Sequence, residues 1–200
     1  MTVTAIQELT KKKSRILFDS GESIVLYKGE ISKYRIICDE EISPSSYDEI
    51  INTVLPKRAK LRAMHLLKSR PYTEKRLRDK LVENGYPSSA INTAIEYVSS
   101  FGYIDDVKYA EDYFDTYRTR KSQKRIISDL LGKGISKDII SEVISSGSYE
   151  DNRDYEGEQI KRFLSKKGII ADDLSYEDRQ KIRASLYRKG YDPALIERFI

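Results

Sequence analysis

The chain carries one apolar pattern three times, and this repetition limits its fold more than any other feature of the sequence. Each copy has two apolar residues four positions apart, then a glycine, a further apolar residue directly after it, and a second apolar pair. Gly134 follows Gly85 by 49 residues, and Gly190 follows Gly134 by 56. The matching apolar positions are Leu77, Ile126 and Ile182; Leu81, Leu130 and Leu186; Tyr86, Ile135 and Tyr191; Ile91, Ile140 and Ile196; and Ile95, Ile144 and Ile200.

The spacing within the pattern predicts helices. Apolar residues at i and i+4 form one buried stripe of a helix, and glycine suits the left-handed residue that ends it. A further helical segment precedes each copy, at residues 58–68, 107–119 and 154–166, so each copy predicts a unit of three helices. Such units bury their faces against neighbouring units. A helical scaffold without a binding role would show the same repeat, and this alternative stays open.

The first 45 residues favour strands. Three β-leaning runs at 3–9, 15–18 and 23–27 are separated by a lysine-rich segment and by residues 19–22, which have the Asp, Ser and Gly of a hairpin. We predict a small antiparallel sheet that packs on the helices, because so small a sheet is marginal alone. Ile36, Ile37 and Ile42 add at most a short element.

The helices begin near residue 46. Ser46 and Glu49 have the spacing of a capping box, so we predict a helix over 47–68. Pro56 lies inside it and should kink or split it. The predicted fold is mainly α, with tandem three-helix repeats in an elongated array preceded by a small antiparallel β N-terminal region. The predicted domains are 1–45 for the β region, 46–105 for a linker helix and first repeat, 106–150 for the second repeat and 151–200 for the third.

The composition argues against several classes of site. Cys38 and His65 are the single cysteine and the single histidine, so we expect no internal disulfide and no zinc site. The acid pairs at 105–106 and 172–173 could bind a cation, but acids near helix starts more often stabilise the helix dipole. No nucleophile with a base and an orienting group is recognisable, so we expect no enzyme, no metal and no cofactor. No apolar run approaches the roughly 20 residues that span a bilayer, and residues 1–13 do not resemble a secretion signal, so we expect a cytoplasmic protein without a membrane partner.

Basic charge is concentrated where the first and second helices of each unit meet, although the net charge is only +4. Repeated junctions of this kind would form a basic stripe that suits a phosphate backbone or an acidic protein groove. The other interpretation is a solvated helix face, in which the Lys and Arg stems cover apolar surface. The candidate binding residues are Arg70, Lys75, Arg76, Arg78, Lys80, Arg118, Arg120, Lys121, Lys124, Arg125, Lys161, Arg162, Lys166, Lys181 and Arg183.

Several short motifs resemble those of the RecX family, regulators of the bacterial recombinase RecA. They are the Arg70-Pro71-Tyr72-Thr73 turn, the Gly102-Tyr103-Ile104-Asp105-Asp106 link and the Leu130-x-x-Lys133-Gly134-Ile135 helix end. Each motif alone is weak, but the set is fairly specific and covers residues 58–200. The chain departs from the family's pattern at Lys121-Ser122, where other members often have glycine before the second helix.

The resemblance implies a protein that binds the RecA–DNA filament along its groove and restrains strand exchange, ATP turnover and coprotease activity. The implied partners are the RecA filament and single- or double-stranded DNA, bound weakly or through RecA, by a monomer. The family carries over no catalytic residue and no cofactor. The alternative is a stand-alone DNA-binding helical protein that acts without RecA, although the sequence has no recognisable groove-reading pattern.

Overall fold

The computed structural model of the protein describes residues 1–146, 153–170 and 174–200, with backbone alone at 153 and 154. The chain forms two compact units, Met1–Asp105 and Asp106–Ile200. The finer borders predicted at residues 45 and 150 stay predictions.

The N-terminal segment forms the predicted antiparallel sheet. Its strands are β1 (Val3–Thr10), β2 (Lys13–Phe18) and β3 (Ser23–Tyr27), in the order β1-β2-β3. A short helix, α1 (Lys28–Lys33), follows directly and was not predicted. It buries none of its residues, so it leaves no apolar periodicity in the sequence.

The long helix begins earlier than the sequence predicted. Helix α2 (Pro44–Glu49) starts three residues before 47, and its N-cap is Ser43, whose side chain accepts a hydrogen bond from the Ser46 amide. The capping box predicted at Ser46 was therefore wrong. Pro44 decides the start, because a proline has the backbone angle that the first helical position requires.

The helix continues through Pro56 without a break, and the hydrogen-bonding pattern changes just before it. A π-helical segment (Ile50–Val54) joins α2 to α3 (Leu55–Ser69), and Pro56 lies in the first turn of α3. The proline has no amide hydrogen, so the regular bonding of the helix is interrupted here. Helices α4 (Glu74–Glu83) and α5 (Ser88–Ser100) complete the first three-helix repeat.

The sheet and the first repeat share one hydrophobic core. The buried side chains of β2 and β3, such as Ile16 and Leu26, belong to the same cluster as Leu77, Leu81 and Ile91. The sheet therefore packs on the helices, as its small size required.

The second unit contains two further repeats, each around its own core. The second repeat is α6 (Asp106–Tyr117), α7 (Gln123–Gly132) and α8 (Lys137–Ser146). The third is α9 (Arg153–Lys166), α10 (Tyr176–Arg188) and α11 (Pro193–Glu197). One core is centred on Phe114, Ile126 and Leu130, and the other on Ile160 and Leu186.

The three repeats have the same helix stop. Gly85, Gly134 and Gly190 have φ angles of 81°, 91° and 89°, in the region that glycine enters without steric cost. The amide after each glycine donates to a carbonyl five residues earlier, at 3.3, 3.2 and 3.3 Å, which is the Schellman motif. The repeat predicted from sequence is confirmed in its backbone geometry.

The start of α10 differs from the other repeats. Thr73 and Ser122 are the N-caps of α4 and α7, which have 10 residues each. The corresponding cap of the third repeat is Ser175, so α10 has 13 residues and is almost one turn longer. The acid pair at 172–173 lies outside the described residues.

Candidate functional site

A cleft lined by cations lies where the turn between α10 and α11 meets the start of α7, within the second unit. Its volume is about 310 Å³. The side chains that line it, here called the basic cleft, belong to Arg120, Lys121, Ser122, Arg125, Arg188, Lys189 and Tyr191. Five of these residues are cationic and none is acidic, so the cleft favours an anion.

Ser122 holds the two sides of the basic cleft together. It is 1% exposed, and its hydroxyl caps α7 by accepting a hydrogen bond from the Arg125 amide at 3.3 Å. The same hydroxyl donates to the Lys189 carbonyl at 2.8 Å. A Cβ placed on Gly190 would lie 2.7 Å from this hydroxyl, so the close approach requires glycine. The helix stop of the third repeat thus serves as a docking surface for the second.

Gln159 of α9 adds a second polar connection between these repeats. Its amide nitrogen donates to the carbonyls of Arg118 at 2.7 Å and Lys121 at 3.3 Å. Its oxygen accepts a hydrogen bond from the Tyr191 hydroxyl at 2.8 Å. Gln159 is 7% exposed, so these bonds satisfy a buried amide and fix the loop that carries the cations.

Glu156 of α9 binds the first turn of α7. Its carboxyl oxygen accepts a hydrogen bond from the Gln123 amide at 2.7 Å. Burial raises the pKa of Glu156 above its ordinary value, although this hydrogen bond acts in the opposite direction. Burial and the nearby Glu156 charge also raise the pKa of Tyr191 to about 12. Tyr191 therefore stays a neutral hydrogen-bond donor at neutral pH.

Asp129 forms ion pairs with both Lys121 and Arg125 and holds their side chains in the basic cleft. The Lys121 ammonium lies 2.8 Å from an Asp129 oxygen and 2.9 Å from the Tyr113 hydroxyl, and Arg125 lies 3.2 Å from the other oxygen. Burial opposes the charge of Lys121, but the hydrogen bonds outweigh it and its pKa is raised. Burial likewise favours neutral Asp129, yet Lys121, Tyr113 and Arg125 together lower its pKa. Lys121 and Arg125 therefore line the basic cleft and also stabilise it through their ion pairs with Asp129.

The remaining cations of the basic cleft have no acidic partner. Within the described part of the chain, Arg120, Arg188 and Lys189 form no ion pair. Lys189 and Lys167 both approach the Phe163 ring, with ammonium-to-centroid distances of 5.6 and 5.4 Å. Unpaired cations in a concave site attract anions and exchange their counterions for them.

The structure brings together three of the predicted binding residues, namely Arg120, Lys121 and Arg125. Lys124 is exposed nearby, 5.8 Å from the Tyr187 ring. The other candidates of the second unit lie outside the basic cleft, and three of the six form local ion pairs. Arg118 pairs with Asp115 and covers the Tyr155 ring, Lys161 pairs with Glu158, and Lys181 pairs with Asp178. Arg162 and Lys166 are exposed. Arg183 has a buried Nε without a hydrogen-bond partner among the described residues.

The predicted residues of the first unit do not converge on a comparable cleft. Arg78 is committed to Glu74 and Asn92, at 2.7 Å each, and Lys80 pairs with Glu83. Arg70 covers the Tyr72 ring, while Lys75 and Arg76 are exposed on α4. Their role in binding stays a prediction.

Sequence reasoning missed Arg188 and Lys189. A signal existed for Lys189, because it precedes the repeat glycine as Lys133 does in the second repeat. Nothing in the sequence showed that this turn would lie against Ser122.

The described residues give no sign of a metal site or a membrane segment. Among them, no group of three or more His, Cys, Asp or Glu side chains is arranged to hold a metal ion. None of the described helices is both long and apolar enough to cross a bilayer. Asp106 lies in the first turn of α6, which fits a helix-dipole role.

Comparison with known proteins gives the same family throughout. Residues 59–97 match the family model for the first three-helix domain of RecX. The regulatory protein RecX of Clostridium perfringens is 32% identical over 171 residues, covering 84% of this chain and 76% of that protein. The regulatory protein RecX of Caldanaerobacter subterraneus is 29% identical and covers 99% of this chain and 98% of its own length.

Solved structures share the fold. A crystal structure of a regulatory protein RecX has a TM-score of 0.64 at 18% identity and covers 98% of this chain and 97% of its own. The crystal structure of RecX from Lactobacillus salivarius has a TM-score of 0.61 at 22% identity and covers 73% of this chain and 94% of its own.

Proposed function

The chain belongs to the RecX family of regulatory proteins, and from this premise we propose that it binds the RecA–DNA filament and inhibits the recombinase. The inhibited activities are DNA-dependent ATP turnover, strand exchange and coprotease action. The protein works in the cytoplasm as a monomer, by binding rather than by catalysis, and needs no cofactor.

The basic cleft is the observation that supports filament binding most directly. Among the residues that the structure describes, no acid pairs with Arg120, Arg188 or Lys189, so their positive charge is available to a partner. A RecA–DNA filament offers phosphates and carboxylates along its groove, and either group would replace the counterions of the cleft. Because Ser122 and Gln159 fix the backbone of the two walls, the segments that carry the cations lose little conformational entropy on binding.

The test is the ATPase activity of RecA on single-stranded DNA. We expect the wild-type protein to suppress it at near-stoichiometric amounts. Reversal of two cleft charges, Arg120→Glu with Arg188→Glu, should weaken inhibition at least tenfold, because both residues are exposed and neither pairs with a described acid.

The matched control reverses two exposed lysines away from the cleft, Lys12→Glu with Lys137→Glu. It changes the net charge equally and should inhibit like the wild type. Full RecA activity in excess wild-type protein would disprove the proposed function. Equal inhibition by both double variants would show that the cleft is only solvated surface.

A second function is supported by the same cleft. The cations of the basic cleft could bind the phosphates of DNA without RecA, as in a stand-alone DNA-binding protein. Its discriminator is tight, sequence-specific binding to duplex DNA by the purified chain alone. We favour filament binding, since this function requires no base-reading side chains.

A further inference from the structure

An exposed apolar groove lies in the first unit. Leu61 and Met64 on α3 are 59% and 39% exposed, and Phe101 and Tyr103 after α5 are 57% and 54% exposed. Contiguous apolar surface of this kind marks an interaction site more often than chance exposure. The groove has a volume of about 440 Å³ and is lined by Met64, His65, Leu67, Lys68 and Tyr103.

Core packing does not explain the position of Tyr103. It follows Gly102 in a Schellman motif, and its amide donates to the Val98 carbonyl at 3.0 Å. In the same position after the repeat glycines, Ile135 and Tyr191 fold back and are 2% and 7% exposed. Tyr103 instead stacks on Phe101 with a centroid distance of 5.8 Å, and much of its ring faces solvent.

The helix beside the groove is strongly cationic. Helix α3 has the sequence LPKRAKLRAMHLLKS, with five Lys and Arg and no acid. Lys57, Leu61, Met64 and Lys68 follow one another at spacings of three or four residues, so they share one helix face. This face has an apolar centre and a cation at each end.

We infer that this groove binds a protein segment of the recombinase in which apolar side chains are flanked by carboxylates. The identity of the partner rests on the proposed function. The segment's apolar side chains fill the space between Met64 and Tyr103, and its carboxylates meet Lys57 and Lys68. Burial of exposed apolar area supplies affinity, and the terminal cations set the orientation of the segment.

The aliphatic side chains on the exposed face of α3 favour a protein over a nucleic acid. Single-stranded nucleic acids bind through aromatic rings that stack on bases and through cations that follow the backbone. Leu61 and Met64 offer no ring, and they lie between Lys57 and Lys68 on the exposed face of α3. Methionine and aromatic side chains are typical of the buried centre of protein interfaces.

The inference is tested by binding to a preformed filament of RecA and single-stranded DNA, held by a slowly hydrolysed ATP analogue. Fluorescence anisotropy of the labelled chain gives the apparent Kd. The variant Met64→Ser with Tyr103→Ser should bind at least tenfold more weakly. The control Val82→Ser with Tyr176→Ser removes side chains that are 62% and 76% exposed elsewhere, and it should bind within twofold of the wild type.

The outcomes separate the two proposals. If the wild-type chain does not bind the filament, the proposed function fails, and this inference fails with it. If the wild type binds and the groove variant binds equally well, the inference alone is overturned. If the groove variant loses affinity for single-stranded DNA without RecA to the same extent, the groove binds bases rather than protein, which also overturns it.

A photoreactive phenylalanine analogue at position 61 gives a direct readout. We expect it to crosslink to a recombinase segment that contains both apolar residues and carboxylates, identified by mass spectrometry. Crosslinks only to DNA, or to no RecA segment in a filament that binds the chain, would contradict the inference.

Discussion

The two units use the same three-helix repeat but pack it against different partners. In the first unit, the helix stop at Gly85 faces the sheet, and a Cβ there would lie 2.2 Å from a methyl carbon of Val25. In the second unit, the equivalent stop at Gly190 faces the Ser122 hydroxyl. The same helix-ending backbone conformation thus forms an apolar contact at Gly85 and a polar contact at Gly190.

This difference explains where each unit presents its binding surface. The first unit joins sheet and helices in one large core, and its exposed feature is an apolar groove. The second unit keeps two small cores connected by buried hydrogen bonds from Ser122, Gln159 and Glu156. Buried polar contacts demand specific geometry, so they hold the backbone segments that carry the cations of the basic cleft in a fixed arrangement.

The largest expected effect is that of Gly85→Ala. A left-handed alanine costs about 1–2 kcal/mol, and overpacking against Val25 adds about 1–3 kcal/mol, so the first unit should lose about 3 kcal/mol of unfolding free energy. Urea denaturation followed by circular dichroism measures the loss. The control is Gly102→Ala, because Gly102 has a φ of 67° and a Cβ there would meet nothing within 4 Å. This variant should lose only the free energy that a left-handed alanine costs. Equal losses in the two variants would show that the sheet does not press on Gly85.

Ser122→Ala should have the next largest effect. It removes the α7 cap, worth about 1 kcal/mol, and leaves the Lys189 carbonyl without its buried donor, for a total near 2 kcal/mol. The matched control is Ser175→Ala, an exposed cap of α10 that should cost about 1 kcal/mol. The same urea measurement compares them. If the two variants are equally stable, the hydrogen bond between Ser122 and the Lys189 carbonyl contributes nothing.

A smaller effect is expected for Glu156→Gln, and it depends on pH. Burial raises the pKa of Glu156, so the folded protein binds a proton more tightly than the unfolded chain does. The wild type therefore loses stability as pH rises from about 4.5 through the raised pKa. The glutamine variant keeps an acceptor for the Gln123 amide and lacks this loss. The melting temperatures of both proteins are measured from pH 4 to 8. They should converge at low pH and separate at higher pH, with the variant more stable. Melting temperatures that differ by the same amount at every pH would contradict the raised pKa.

Much of the fold could be predicted because its signals are local. The i and i+4 apolar pairs and the glycine stops depend on helix geometry alone, and Leu81, Leu130 and Leu186 are all fully buried. The change of helix type before Pro56 has an equally local reason, the missing amide hydrogen of the proline. The cap at Ser43 was missed because two serines compete as caps, and Pro44 determines the choice.

The candidate site could be predicted only in part. Charge density identified Arg120, Lys121 and Arg125, since they lie in one short segment. Arg188 and Lys189 come from a segment more than 60 residues away, and their position depends on the contact between Gly190 and Ser122. Charge density also counted Arg78 and Lys80 as candidates, although their spacings of four and three residues from Glu74 and Glu83 already predict pairing on one helix.

The most direct test of the account is the salt dependence of binding to the RecA–DNA filament. For single strands, the logarithm of the binding constant falls by about 0.7 per decade of salt for each phosphate contacted. We predict that Arg120→Glu with Arg188→Glu lowers affinity and makes this slope shallower, while Lys12→Glu with Lys137→Glu retains the wild-type slope. Identical affinity and slope in all three proteins would contradict the claim that the basic cleft binds the filament.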